Sequence, residues 1–204
     1  MLIKSPMNDE HRAQESTLYP PPNTSEGAEQ FAQVVMNIAS NELQKYGQVS
    51  PAAFIITACN PETLKEEVET LADGSEVSKL HIIVVMAENF DEAGKNRFAD
   101  TLRKSAEVLH AIGVAFVSEV WMVSGDSKES LDELEKSKTP LEFVPGRKEC
   151  IMVTLEHRAF KQTRVWMAPI LRDGSCPRAG EFAEPYADAD KTQGRFTNLL
   201  PITN

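Results

Sequence analysis

A chain of 204 residues, 41% of them hydrophobic, is long enough for one domain with a real core and too apolar for a disordered polymer. Its net charge of −10 argues against a general nucleic-acid binder. No apolar run approaches the roughly 20 residues of a membrane span, and the first ten residues lack the apolar region of a signal peptide, so a cytoplasmic protein without membrane association is the expectation.

Residues 1–24 are polar and carry Tyr19-Pro20-Pro21-Pro22, which reads as a flexible N-terminal arm with a short polyproline stretch. A first helix is predicted from Ser25 or Glu26. Phe31, Val34, Val35, Ile38 and Leu43 recur at helical spacing, and Gly47 suits the position just past its end. Ala53 to Cys59 reads as a strand stopped by Asn60-Pro61. Residues 61–73 fit two forms. Leu64, Val68 and Leu71 at i, i+4, i+7 after an Asn60 cap suggest a short helix, whereas the partial alternation from Lys65 to Leu71 suggests a returning strand. Asp73-Gly74 is a turn in either form, and Leu80 to Met86 is a strand.

A second helix is predicted from Asp91 to Ile112, with Phe98, Leu102, Ala106 and Leu109 as its buried stripe and Gly113 as its stop. It leads into Val114 to Val123, a strand apolar on both faces and therefore central in a covered sheet. A polar loop follows from Ser124 to Thr139, with one helical turn near Leu131 to Leu134. Glu149 to Arg158 and Thr163 to Arg172 read as a hairpin. Pro169 lacks a ladder donor, which places the last strand, 163–172, at an edge open to a second subunit. The tail 173–204 is rich in Gly, Pro, Ala and Asp, and its apolar end at 196–202 is expected to dock back.

The predicted architecture is thus a single α+β domain over residues 25–172, in the order α-β-β-α-β-β-β. It has a mixed or antiparallel sheet of about five strands covered by two main helices.

Chemistry concentrates around the central strand. Ala115, Val117, Glu119, Trp121 and Val123 share one of its faces. An unpaired ionised carboxylate in a covered sheet is very costly. Glu119 therefore needs a cationic partner (Arg147, Arg158 or Arg164), a raised pKa, or a water-lined cleft beside it. Between Arg147 and Arg172, six basic residues stand against Glu149 and Glu156, a local +4 in an acidic chain. Acidic segments of the same chain lying over this hairpin account for it, as would an anionic ligand. Arg147 and Glu149 share a face after the Pro145-Gly146 turn, where a planar guanidinium suits a carboxylate or phosphate.

The standard catalytic signatures are absent: no nucleophile elbow, no zinc-protease helix, no P-loop, no dinucleotide fingerprint. Cys59, Cys150 and Cys176 have no CxxC spacing, so free thiols are expected rather than disulfides. Glu156 and His157 point to opposite faces and cannot share a metal, although His157 could meet His81 if their strands were neighbours. No metal or cofactor is implied.

One resemblance adds to this. The stretch from Asn96 to Glu149 has an Asn-Arg-Phe helix start, then Gly-Val-Ala-Phe-Val-Ser-Glu-Val-Trp, then Pro-Gly-Arg-Lys-Glu-Cys. It is similar to a loosely defined set of uncharacterised bacterial and phage α+β proteins with a Val-Ser-Glu-x-Trp … Arg-x-Glu signature. The resemblance covers about the middle third of the chain and implies a role for Glu119, Trp121, Arg147 and Glu149 but no chemistry, since no activity is known for that set.

The residues point first to a non-enzymatic binding or regulatory module for a small anionic ligand or a protein partner. Its candidate contacts are Glu119, Trp121, Arg147, Glu149, Arg158 and Arg164. A small hydrolase or transferase, with Glu119 as acid/base and Arg147 as anion clamp, is the alternative. An assembly component of a phage or mobile element, oligomeric through 163–172, is a third.

Overall fold

The computed structural model describes residues 23–72, 74–87, 90–122, 136–137, 139, 143–160, 163–183, 196 and 199–200. The polyproline stretch, Asp73 and the expected turn at Leu131 to Leu134 lie outside them.

Helix α1 spans Ser25–Tyr46. The Thr24 side chain accepts the Gly27 N–H at its start, and Gly47, at φ 80, ends it by donating its N–H to the Leu43 carbonyl. The strands that follow are β1 (Ala52–Thr57), β2 (Val68–Thr70), β3 (Glu76–Ser78) and β4 (His81–Met86). Helix α2 (Glu92–Val108) precedes β5 (Gly113–Met122), β6 (Lys148–His157), β7 (Arg164–Leu171) and β8 (Arg178–Ala179). Six strands form one antiparallel sheet in the order β4-β1-β5-β6-β7-β8, with β2 and β3 as a separate two-stranded hairpin.

The architecture is mixed α+β, but the count and order of strands differ from the sequence reading. Residues 61–73 form neither a helix nor a core strand: a turn leads into β2, and β3 returns from it. These strands are three residues long and exposed at every position, so no buried face imposes an alternation that a sequence could display. Helix α2 ends four residues before the predicted Ile112, where His110 takes a positive φ of 49 and Ala111 turns inward to full burial. The expected edge strand 163–172 is also corrected. The outer side of β7 is covered over its second half by β8, by the Gly180 N–H on the Pro169 carbonyl, and by the Ala183 N–H on the Met167 carbonyl.

The sheet has a core on each face. On one, α1 sets Phe31, Val35, Ala39 and Leu43 against Phe54, Ile56, Val117, Val153, Leu155 and Trp166. On the other, α2 sets Phe98, Leu102 and Ala106 against Ile55, Val114 and Phe116, joined by Leu199 from near the C-terminus. Both faces of β1 are therefore buried along all six of its residues. β4 is covered on one face only.

Two thiols belong to this interior. Cys59 and Cys150 are buried, and burial pushes the Cys150 thiol up against the opposing charge of Lys148; Cys176 is exposed. We expect an aromatic disulfide reagent at neutral pH to titrate one thiol in the folded chain and all three in denaturant. Two fast thiols in the folded state would contradict this packing.

Candidate functional site

The end of the sheet beyond α1 gathers the chemistry. Once α1 stops at Gly47, the last residues of β5, the first of β6 and the last of β7 emerge from under it. Register places Trp121 directly opposite Glu149. The stretch Val144-Pro145-Gly146-Arg147 then makes a tight turn, with Gly146 at φ 76 and the Arg147 N–H directed at the Val144 carbonyl at 3.4 Å. Proline at the second position and a left-handed glycine at the third are what such a turn requires. It folds Arg147 back so that its guanidinium lies 4.9 Å from the centre of the Trp121 ring.

Just past the end of β7 comes Arg172, absent from the sequence-derived candidates. Its Nε donates to Glu149 Oε2 at 2.5 Å and its Nη1 to the Gly47 carbonyl at 3.3 Å, so a cation sits at the C-terminus of α1. The hydrogen bond to Glu149 raises the Arg172 pKa, partly opposed by desolvation and aided by the charges of Glu149 and Glu119. Arg172 was discoverable: it shares strand parity with Ile170, and a hairpin returns the end of β7 to the start of β6.

Together Trp121, Arg147, Lys148, Glu149, Pro169, Ile170, Leu171 and Arg172 line an open cleft of about 630 Å³. Glu149 is already neutralised by Arg172. Among the described residues, neither Arg147 nor Lys148 pairs with a carboxylate, whereas Arg103, Arg164, Arg172 and Arg178 each do.

The other candidates fall elsewhere. Glu119 lies on the Trp121 face but outside the described lining, with its Oε1 accepting the Val49 N–H at 2.7 Å. It has a backbone partner, not Arg147, Arg158 or Arg164. Arg164 pairs with Glu29 and lies 4.1 Å from the Phe160 ring, and Arg158 is exposed next to it in the same hairpin. Eight residues of extended strand separate Arg147 from Leu155, the partner of Arg164, which is roughly 25 Å. The six candidates therefore split into a group of four near the cleft and a pair at the far end of the hairpin.

The histidines do not meet either, because β1 and β5 stand between β4 and β6. His81 Nε2 lies 3.1 Å from Glu67, and His157 Nδ1 accepts the Ala159 N–H. The deeply buried carboxylate is Glu156. Its Oε2 accepts the N–H groups of Leu199 (2.7 Å) and Leu200 (3.1 Å), and its Oε1 accepts the Thr163 hydroxyl at 3.3 Å. Sequence reasoning considered it only as a metal ligand beside His157, and its two backbone partners, Leu199 and Leu200, lie more than 40 residues away along the chain.

Fold and cleft define the chain as an α+β protein with a six-stranded antiparallel sheet, covered on both faces at its centre, and an open cationic cleft at the sheet's end. In comparisons with known proteins, no family model, curated protein or solved structure matches it.

Proposed function

We propose that the chain is a binding module for a small anionic ligand, taken up in the cleft between Trp121 and Arg172. The observation that carries this reading is the Arg147 guanidinium. It is stacked on an indole, set there by a rigid Pro-Gly turn, and without a carboxylate partner among the described residues. A pre-oriented planar fork of this kind recognises carboxylates and phosphates by paired charge-assisted hydrogen bonds. Ile170, on the same sheet face as Trp121 and Glu149, offers an apolar contact to whatever carries the anion. The resemblance to the bacterial and phage set directs attention to Glu119, Trp121, Arg147 and Glu149, the group of four at this end of the sheet.

The hydrolase or transferase reading is weaker. Its acid/base, Glu119, is committed to the Val49 N–H and does not appear in the described lining of the cleft.

Tryptophan emission tests the proposal. Of the two tryptophans, Trp166 is 3% exposed and Trp121 is 37% exposed, so a ligand in the cleft changes the signal of one ring. Titration with inorganic phosphate, a phosphomonoester and a dicarboxylate should give a saturable change for at least one. Arg147→Gln should weaken that binding roughly tenfold or more, with an unchanged thermal melt, and Arg164→Gln should leave it alone. No saturable change with any of the three, or equal affinity in Arg147→Gln, overturns the reading.

A further inference from the structure

We propose that Arg172 is the second anion-binding residue of the cleft, that Glu149 is an internal carboxylate occupying it, and that the ligand group engaging both arginines is a phosphomonoester dianion. The inference rests on the anion-binding reading of the cleft. It adds the charge of the ligand and the residue that sets its affinity.

The two guanidinium groups face each other because the sheet opens between them. The register of β6 with β7 ends at Cys150 opposite Pro169. Beyond that pair, Glu149 and Lys148 stay with Trp121 and Met122 of β5, while Ile170 and Leu171 go with Ala179 and Arg178 of β8. Each strand keeps its outer partner and loses its inner one, so the two part and the cleft lies in the gap. Arg147 stands one residue before the start of β6 and Arg172 one residue after the end of β7, on the two sides of that gap.

Their donors are unequally used. A guanidinium carries five N–H donors in one plane. Arg147 directs one of them at the Val144 carbonyl at 3.5 Å, a long contact, and has no carboxylate partner among the described residues. Arg172 uses Nε on Glu149 and Nη1 on the Gly47 carbonyl, and its Nη2 has no acceptor among the described residues.

Glu149 is a replaceable partner. It meets Arg172 through one oxygen and one nitrogen, not through the paired bonds that a carboxylate and a guanidinium form at their strongest. The side chains of the pair are 46% and 23% exposed, and an ion pair open to water is weak. Glu119 also acts on Arg172 by its charge, but its carboxylate is held by the Val49 N–H outside the described lining.

These facts select the ligand's charge. A monoanion is neutralised by Arg147 alone and has no charge left with which to compete against Glu149 for Arg172. A phosphomonoester carries close to two charges on three acceptor oxygens, enough for both guanidinium groups. The spacing favours one compact group over two separated carboxylates. Arg147 lies on the Trp121 ring and Arg172 bonds Glu149, and these two supports are directly opposite in register, with Cβ atoms about 4.5–5.5 Å apart in such a pair. Ile170 is left for the carbon group of the ester.

Trp121 emission in the full chain, at mildly alkaline pH, compares methyl phosphate with methyl sulfate, which has the same shape and one charge. Methyl phosphate should bind about tenfold tighter or more. Arg172→Gln should abolish that preference and leave methyl sulfate bound through Arg147. Glu149→Gln should tighten methyl phosphate about twofold to fivefold, by removing the competing charge. Arg172 also holds Gly47, so each variant is melted first; Glu149→Gln leaves that contact in place and carries the test if Arg172→Gln does not fold. Equal affinity for the two esters, or methyl phosphate binding that Glu149→Gln leaves unchanged or weakens, overturns the inference. A dicarboxylate that binds where neither ester does overturns it too, but leaves the anion site standing. No response to any of these anions overturns the reading of the cleft as well.

Discussion

Phe116→Ala is expected to destabilise the folded chain by about 3–5 kcal/mol, the upper range for deleting a buried ring. Phe116 is 1% exposed on the α2 face of β5, and it stacks on Phe196 at 4.0 Å and Phe90 at 5.9 Å, with Phe98 tilted at 6.1 Å. Three ring partners hold it from three segments: the loop before α2, α2 itself, and the chain near the C-terminus. The site cannot collapse to heal the deletion, because β5 is fixed in register between β1 and β6. The ring's transfer energy and the cavity cost therefore add. For a chain of this length the loss corresponds to a fall in Tm of roughly 10 °C. Phe116→Leu should recover more than half of it. Phe196→Ala removes a ring that is only partly buried, so it should cost clearly less than Phe116→Ala, and the two together should cost less than their sum. Urea melts of the four chains decide this. A Phe116→Ala loss under about 1 kcal/mol, the level of an ordinary point substitution, would show that the aromatic cluster is not a packed unit.

What the sequence displays and what it hides follow from one distinction. Strand periodicity assigns a side chain to a face, and a face is what Glu119, Trp121 and Glu149 share. It does not assign depth. The reading that placed Glu119 in a covered interior rests on the apolar residues before it. Those residues lie under α1, but α1 is capped at Gly47, and β5 passes from buried at Val117 to partly exposed at Glu119. How far a helix reaches along a sheet depends on how the two pack, which no local pattern records. Arg147 was legible because a Pro-Gly turn constrains where the next residue goes. The pairing of Arg172 with Glu149 was half-legible, through hairpin geometry. β2 and β3 were not legible, since an exposed three-residue strand has no pattern to show. The edge was misassigned for a related reason. Pro169 marks a strand that lacks a full ladder partner, but nine residues later the chain supplies a two-residue partner too short to be recognised as a strand.

The same distinction ranks the two carboxylates, and the ranking can be measured. Glu156→Ala should cost about 3–4 kcal/mol, against about 1–2 kcal/mol for Glu119→Ala. Glu119 accepts one backbone N–H at a partly solvated loop, and water can replace a lost acceptor there. Glu156 is 9% exposed and accepts three donors, two of them the consecutive N–H groups of Leu199 and Leu200. Removing it strands the Leu199 N–H in an interior where Leu199 itself is 1% exposed. An unsatisfied buried donor costs about 1–3 kcal/mol. The chain can escape that cost only by pulling Leu199 out of the core, which forfeits roughly another 2 kcal/mol of apolar burial. Either way the segment that carries Phe196 and Leu199 loses its anchor. Glu156→Gln keeps the size and one carbonyl oxygen, so it should hold the segment at about half the cost. Digestion from the C-terminus separates the two outcomes: the Glu156→Ala chain should be trimmed past Leu199 far faster than the parent, and the Glu119→Ala chain should not. If Glu119→Ala proves the more damaging, the deep carboxylate is the one on β5 and the burial ranking is wrong.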